Sequence, residues 1–175
     1  MILQPPIIHP VVYTLLMFDA DGTLRGCTEP GRPPNLPDEA ILLPGVDVVL
    51  NRYAWKRTHY FGIASNQGGV ALGYLPEDRC KAMLRLLMHD ASWYLWPDEV
   101  IRYCPHAPQA GCRCRKPAPA MLHDIVSYWQ GQGVISGPGD ALYVGDQESD
   151  REAALNADMA FCWAKDFFGW GVQPC

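Results

Sequence analysis

Short apolar runs rich in β-forming residues alternate along this chain with longer segments of helical periodicity. The apolar runs are Val11–Asp19, His59–Ser65, Val100–Cys104, Ala141–Gly145 and Met159–Trp163. The helical segments are Pro44–Lys56, Pro76–Tyr94, Pro119–Gln130 and Ser149–Asn156, three of which open with a proline suited to a first helical turn. This alternation predicts an α/β fold, a doubly wound, mostly parallel, Rossmann-like sheet with helices on both faces.

Length and charge limit the possible functions. The chain has 175 residues, of which 49% are hydrophobic, and this is enough for one core of ordinary size. We therefore expect a single domain over residues 1–175. The 14 basic and 19 acidic residues give a net charge of −5, which disfavours broad electrostatic binding to nucleic acid or to an anionic membrane.

The N-terminal stretch MILQPPIIHP bears on where the protein is found. It lacks a basic region before its apolar residues and is interrupted by prolines, so a signal peptide is not expected there. The apolar run from Val11 to Phe18 is too short to cross a bilayer. These features predict a cytoplasmic protein with no membrane partner.

Polar residues follow the predicted strands at the points where the strands end. Asp19 and Asp21 follow the first strand, Ser65 the second and Asp146 the fourth. Because the carboxyl ends of parallel strands meet at one edge of a sheet, these side chains should lie close together. Neighbouring carboxylates repel each other unless a cation or a shared proton compensates, and hard oxygen ligands suit Mg²⁺. The three aspartates therefore predict a Mg²⁺ site.

The aspartates of the stretch MFDADGTLRG also suit phosphoryl transfer. Asp19 as a nucleophile would form an aspartyl phosphate, while Mg²⁺ neutralises charge that would otherwise repel the approaching carboxylate. Asp21 would protonate the leaving oxygen and later deprotonate the hydrolytic water. Gly22 would permit a tight turn that brings backbone N–H groups toward the phosphate. The simpler alternative is that Asp-Gly-Thr forms only a turn and that Asp19 is a helix cap.

Four motifs, DADGTL, SNQ, RKP and GDQESD, occur in this order at strand ends or in the loops that follow them. Together they resemble the haloacid dehalogenase superfamily of aspartate-nucleophile phosphohydrolases, over nearly the whole chain. The resemblance implies that Asp19 is the nucleophile and a Mg²⁺ ligand, that Asp21 is the acid/base and a ligand through its carbonyl, and that Asp146 completes the metal site. It implies that Ser65 and Lys116 hold the transferring phosphoryl group. The residues then expected to contact substrate are Gly22, Thr23, Asn66, Gln67 and Arg115.

Other segments near these motifs are expected to be structural. Asp150 is expected at most to contact the metal ligands and not the metal itself. Ser149 and Glu152 have the spacing of a helix capping box. The connection between residues 24 and 43 is short and rich in proline, so no separate cap domain is expected in it. Irregular loops are predicted at residues 25–37 and 131–139.

Cysteines crowd into one short segment, CPHAPQAGCRC. Its pattern is C-x-H-x5-C-x-C, and three thiolates with one imidazole make the complete four-ligand set that is typical of a closed structural Zn²⁺ site. We therefore predict a zinc loop at residues 104–114 with Cys104, His106, Cys112 and Cys114 as ligands. The alternative is a set of free thiols in a loop, although cysteine prefers burial.

The zinc loop and the following residues, CRCRKPAPAML, are similar to those of the heptose 1,7-bisphosphate 7-phosphatases and the histidinol-phosphate phosphatases of that superfamily. The likeness implies that Arg115 faces the substrate. Those enzymes usually carry basic residues at three positions that are neutral here, namely Ala20, Leu72 and Gln147. A bisphosphate would lose most from their absence, because phosphate groups are held by charged donors. The expected partner is therefore a small sugar phosphate or a related phosphorylated metabolite.

Three alternatives stay open. The ending ALNADMAFCWAKDFFGW is similar to that of polynucleotide 3′-phosphatase domains, and Phe167, Phe168 and Trp170 would then either stack on a base or pack on the domain. The acidic composition argues against nucleic acid, although a 3′-phosphate end needs only a local site. A phosphorylated receiver domain would also use acids and a lysine around Mg²⁺, but no aspartate follows the second or third predicted strand. A zinc-stabilised binding module would leave the ordered acids unexplained.

Overall fold

Strands and helices alternate along the chain in the predicted order. The computed structural model describes residues 13–55 and 59–170. Its strands are β1 (Leu15–Phe18), β2 (Arg25–Cys27), β3 (Ala40–Leu42), β4 (Tyr60–Asn66), β5 (Ile101–Cys104), β6 (Ala141–Gly145) and β7 (Ala160–Trp163). Its helices are α1 (Val46–Trp55), α2 (Glu77–Ser92), α3 (Ala120–Gly131), α4 (Glu148–Asn156) and α5 (Ala164–Phe168). The N-terminal stretch and the first residues of the predicted Val11–Asp19 strand lie outside the described residues.

Five strands form one parallel sheet in the order β5-β4-β1-β6-β7. The central strand is β1, in which Phe18 lies opposite Ile63 of β4 and Val144 of β6. The residue after β1 therefore lies between the loops that follow β4 and β6. The predicted α/β class, with a mostly parallel sheet, is confirmed.

Alternate residues of β1 build the two halves of the core. Leu16 and Phe18 pack with α1, α2 and α5 on one face, and Leu15 and Met17 pack with α3 and α4 on the other. All four side chains are fully buried. Burial of side chains of this size stabilises a fold by about 1.5–3 kcal/mol each, so both faces of the sheet hold β1 in place.

The predicted irregular loop at residues 25–37 is wrong at its start. Its first residues form β2, which pairs antiparallel with β3, so that Gly26 lies opposite Ile41. Strands of three residues are too short to show an alternating pattern, which is why periodicity did not reveal them. Within the connecting loop, the guanidinium of Arg32 contacts both carboxylate oxygens of Glu39 at 2.6 and 2.9 Å. The Arg32 hydrogen bond is the main cause that lowers the pKa of Glu39 to about 2.

Helix starts differ in detail from the prediction. Pro76 and Pro119 occupy the N-cap positions of α2 and α3 rather than the first helical turn. The predicted capping box of Ser149 and Glu152 is wrong, because α4 begins earlier and Asp150 accepts the backbone N–H of Gln147 at 2.9 Å. The loop predicted at 131–139 begins one residue later, because Gly131 is the last residue of α3, and a 3₁₀ turn starts within it at Pro138. None of the helices in the described ranges is long and apolar enough to cross a membrane.

Candidate active site

Asp19 follows β1 at the centre of the sheet, and Lys116 reaches it from the segment before α3. The Lys116 Nζ lies 2.6 Å from Asp19 Oδ1 and 2.6 Å from Asp150 Oδ1, and all three side chains are almost fully buried. Burial raises the pKa of Asp19 to about 7; Lys116 opposes this rise, and the charges of Asp150 and Asp21 add to it. Burial also opposes the charge on Lys116, but Asp19 and the groups around it raise the pKa of Lys116 well above its usual value. The site therefore concentrates negative charge around one ammonium group.

Three carboxylates meet at this edge of the sheet. One oxygen each from Asp19, Asp146 and Asp150 lies within 4.8 Å of the other two. Asp146 accepts the Thr23 Oγ1 hydroxyl at 3.2 Å and the Gln147 Nε2 amide at 2.7 Å. Burial is the main cause that raises the pKa of Asp146. Carboxylate oxygens are hard donors, and several of them close together are costly to keep charged without a cation. The cluster therefore fits a divalent cation such as Mg²⁺.

Gly22 allows the DADGT segment to approach Asp146. The residue has φ +88°, and a Cβ atom placed on it would lie 2.4 Å from Asp146 Oδ2. Both the backbone conformation and the lack of space therefore require glycine. Its N–H donates to the carbonyl of Arg25 at 2.8 Å, so this donor is used within the turn.

The side chain of Asp21 is held by two donors. Arg25 Nε donates to Asp21 Oδ1 at 2.7 Å, and Gln67 Nε2 donates to Asp21 Oδ2 at 2.7 Å. The same Gln67 amide lies 2.8 Å from Ser65 Oγ, which links the DADGT and SNQ motifs. Arg25 is 1% exposed, and its Nη1 and Nη2 atoms have no hydrogen-bond partner among the described residues. Asp21 is thus fixed as a hydrogen-bond acceptor beside the carboxylate cluster.

Asn66 holds the main chain of Lys116 from both sides. Its Oδ1 accepts the Lys116 backbone N–H at 3.0 Å, and its Nδ2 donates to the Lys116 carbonyl at 3.1 Å. The SNQ motif therefore fixes the backbone that carries the lysine. Contact of Asn66 with substrate stays a prediction.

The four predicted zinc ligands converge. The three Sγ atoms of Cys104, Cys112 and Cys114 lie 3.3–3.5 Å apart, and His106 Nδ1 lies 3.2 Å from Cys114 Sγ and 3.6 Å from Cys104 Sγ. All three cysteines are free, and the sulfur separations are far longer than the roughly 2.0 Å of a disulfide. A tetrahedron with Zn–S bonds of about 2.3 Å has an edge of about 3.8 Å, close to these separations. The four side chains therefore fit one Zn²⁺ ion.

The cysteine cluster is connected to the candidate active site through the chain and through hydrogen bonds. Cys104 ends β5, and its carbonyl accepts the backbone N–H of Gln67 at 2.8 Å. Arg115 and Lys116 follow Cys114 directly in the sequence, and Arg115 Nη1 donates to the carbonyl of His106 at 3.3 Å. A metal in this loop would therefore fix the starting point of the segment that carries Lys116.

Comparisons with known proteins identify the family. The D-glycero-β-D-manno-heptose-1,7-bisphosphate 7-phosphatase of Pseudomonas putida is 35% identical over 147 residues, which are 81% of this chain and 76% of the relative. The enzyme of the same name from Pseudomonas aeruginosa is 33% identical over 149 residues, or 83% of this chain and 77% of the relative. The chain belongs to the heptose-bisphosphate phosphatase family of the haloacid dehalogenase superfamily. The predicted resemblance is confirmed, and the protein is a phosphatase.

A solved structure of this family matches the fold. The D,D-heptose 1.7-bisphosphate phosphatase from B. bronchiseptica, complexed with magnesium and phosphate, superimposes with a TM-score of 0.70 at 28% identity. The match covers 92% of this chain and 88% of that one. No protein-family model matches the chain.

The structure brings predicted site residues of this chain together at one edge of the sheet. The predicted site residues joined there by ion pairs or hydrogen bonds are Asp19, Asp21, Thr23, Ser65, Asn66, Gln67, Lys116 and Asp146. The sequence analysis missed Tyr143, whose hydroxyl lies 2.8 Å from Lys116 Nζ. It also did not predict the ion pair of Asp150 with Lys116. A single hydroxyl in the otherwise apolar run ALYVG was the available signal for Tyr143.

The C-terminal aromatic residues pack on the phosphatase core. Phe167 and Phe168 are 6% and 7% exposed, and their ring centroids lie 5.6 and 6.3 Å from that of Phe18. The indole N–H of Trp170 donates to the carbonyl of Pro44 at 2.7 Å. Packing on the domain is confirmed for Phe167 and Phe168, which are not available to stack on a base.

Proposed function

We propose that this phosphatase is a Mg²⁺-dependent phosphomonoester hydrolase that works through an aspartyl phosphate on Asp19. The observation that carries the proposal is the ion pair of Asp19 with Lys116 beside the Asp146 and Asp150 carboxylates. This arrangement offers a nucleophile, one cation for the phosphoryl oxygens and ligands for a second cation. The relatives named as phosphatases support the same chemistry.

In the first step, a carboxylate oxygen of Asp19 attacks phosphorus, and the bond from phosphorus to the leaving oxygen breaks. Asp21 donates a proton to the leaving oxygen. Lys116 and the Ser65 hydroxyl hold the phosphoryl oxygens, because both lie at the same sheet edge as the nucleophile. The Asp21 carboxyl must exchange at least one of its contacts with Arg25 or Gln67 to reach the leaving oxygen.

In the second step, Asp21 takes a proton from a water molecule, and the resulting nucleophile attacks phosphorus of the aspartyl phosphate. The bond between phosphorus and the Asp19 oxygen breaks, which releases inorganic phosphate and restores the carboxylate. Gln67 is placed to return Asp21 to its resting position, because its amide contacts both Asp21 and Ser65.

The residues that would hold Mg²⁺ are Asp19 and Asp146 through their carboxylates and Asp21 through its main-chain carbonyl. When bound, Mg²⁺ supplies positive charge that offsets the repulsion between the nucleophile and the phosphate. Zn²⁺ would be held by Cys104, His106, Cys112 and Cys114 and would stabilise the loop that precedes Lys116.

The substrate proposed is a small sugar phosphate or a related metabolite with one phosphate group. The relatives are named for a heptose 1,7-bisphosphate, which supports a sugar phosphate. A second phosphate would need further charged donors. Of the three positions without the expected basic residue, Ala20 is fully buried, Leu72 is apolar and exposed, and Gln147 is neutral and donates to Asp146. Arg115 remains as a cation beside the zinc loop.

The proposal is tested by Mg²⁺-dependent release of phosphate from a panel of substrates. The panel holds heptose 1,7-bisphosphate, histidinol phosphate, hexose and nucleotide monophosphates, and a 3′-phosphorylated oligonucleotide. We expect turnover that requires Mg²⁺, with kcat/KM higher for a sugar monophosphate than for the bisphosphate. Preference for the bisphosphate would overturn the substrate assignment, preference for the oligonucleotide would favour the 3′-phosphatase alternative, and no release from any substrate would contradict the proposed chemistry.

A further inference from the structure

Tyr143 is a buried phenol beneath the active site. It lies on β6 and is 0% exposed, and its hydroxyl donates to the carbonyl of Ala64 on β4 at 2.7 Å. Because β1 lies between β4 and β6, the side chain of Tyr143 spans the strand that carries the nucleophile. The same hydroxyl accepts a hydrogen bond from Lys116 Nζ at 2.8 Å.

The direction of these two hydrogen bonds is fixed. A phenol has one proton, and the Ala64 carbonyl can only accept it. The oxygen lone pair of Tyr143 therefore faces the ammonium group of Lys116. The phenol is built into the site as an acceptor for Lys116, and its own proton is used elsewhere.

Two carboxylates also contact the ammonium group of Lys116. Its Nζ donates to Asp19 Oδ1 at 2.6 Å. It also forms a buried ion pair with Asp150 Oδ1 at 2.6 Å. A lysine side chain is a point charge on a flexible stem, so three acceptors around Nζ define its position better than two. Tyr143 is the third of these acceptors and the neutral one.

We infer that Tyr143 is a positioning residue that holds the ammonium group of Lys116 against Asp19. The inference rests on the proposed function, in which Lys116 contacts the transferring phosphoryl group. A phenol suits this task because it adds an acceptor without adding a negative charge. A third carboxylate at the same place would neutralise the charge that Lys116 offers to the phosphoryl oxygens.

The test compares Tyr143→Phe with a matched control, Tyr60→Phe. Tyr60 lies at the opposite end of β4, where its ring packs 4.6 Å from that of Trp129. We expect Tyr143→Phe to lower kcat about tenfold, the loss typical of one hydrogen bond to a charged group, with KM changed less than about twofold. Tyr60→Phe should keep both constants. An unchanged kcat in Tyr143→Phe would overturn the inference.

A double-mutant cycle separates positioning from general destabilisation. The affinity for orthovanadate, which mimics the five-coordinate phosphorus, is measured in the wild type, Tyr143→Phe, Lys116→Met and the double variant. If Tyr143 acts through Lys116, its substitution weakens orthovanadate binding about tenfold in the wild type and has no further effect once Lys116 is methionine. Equal losses in both backgrounds would mean that the effect does not pass through Lys116.

A crystallographic readout does not depend on turnover. In the structure of Tyr143→Phe, we expect the Lys116 Nζ to leave its wild-type position beside Asp19 or to become disordered. An unmoved, ordered Nζ would overturn the positioning role even if no substrate were found. A wild-type enzyme that releases no phosphate from any substrate would instead contradict the proposed function, so the two failures can be told apart.

Discussion

At the scale of single residues, the proposed nucleophile Asp19 and its partner Lys116 depend on each other. Asp19 and Lys116 are both almost fully buried and 2.6 Å apart. A buried charge without its partner is costly, whereas a neutral replacement of one carboxylate leaves Asp150 beside the lysine. A neutral replacement of Asp19 should therefore affect the chemistry more than the fold.

Asp19→Asn removes the proposed nucleophile and keeps the shape of the side chain. We expect kcat to fall by about a thousandfold or more, because a neutral amide oxygen is a much weaker nucleophile than a carboxylate. The melting temperature should not fall, since the change also relieves repulsion with Asp150. Phosphate release and thermal unfolding are measured together, and retained turnover would contradict the role of Asp19.

Gly22→Ala tests the close approach of the DADGT turn to Asp146. Its added Cβ would lie 2.4 Å from Asp146 Oδ2. The matched control is Gly31→Ala, because Gly31 has φ +86° but nothing within 4 Å of a Cβ. Both variants should lose about 1–2 kcal/mol of unfolding free energy for the left-handed backbone. Only Gly22→Ala should also lose most of its activity, measured as kcat/KM; equal activity in both variants would show that Asp146 can move freely.

At the scale of secondary-structure elements, the cysteine loop connects strand β5 to the segment that carries Lys116. The loop begins at Cys104, the last residue of β5, and ends two residues before Lys116. Its shape depends on four side chains that meet at one point. We therefore expect damage in this loop to appear first as lost stability and then as lost activity.

Cys112→Ser should abolish zinc binding and lower the free energy of unfolding by more than about 3 kcal/mol. Activity should fall as a consequence, because the segment that carries Lys116 is no longer held. The control is Cys27→Ser, since Cys27 lies in β2 outside the cluster. Zinc content, chemical denaturation and phosphate release are compared. Full zinc content in Cys112→Ser would argue against Cys112 as a ligand.

Elements with a clear period or an unbroken apolar run are predictable from the sequence, and short or singular features are not. The strand predicted at Ala141–Gly145 has the same bounds as β6. Every side chain of β6 is buried, so the strand is an unbroken apolar run in the sequence. The hairpin of β2 and β3 was missed, since three residues carry no period. The order of the four motifs predicted which residues meet at the sheet edge. Tyr143 escaped notice because tyrosine is as suitable as any apolar residue in a buried strand.

At the scale of the whole molecule, the end of the described chain completes one face of the core. Phe168→Ala should lower the free energy of unfolding by about 3 kcal/mol through the cavity it leaves beside Phe18. KM should stay unchanged for every substrate, including a 3′-phosphorylated oligonucleotide. The control is Leu155→Ala, because Leu155 is 59% exposed and its truncation should change stability by no more than about 0.5 kcal/mol. A selective rise in KM for the oligonucleotide would reopen the base-stacking alternative.

The central place of β1 has a consequence for the order in which the enzyme becomes competent. Asp19 is synthesised before its lysine partner, which lies 97 positions later, and Thr23 meets Asp146 across 123 positions. Contacts between such distant segments form only when most of the chain has been brought together. A nascent chain therefore carries the proposed nucleophile long before it can use it, and phosphate esters meet a working site only after the sheet has closed around β1.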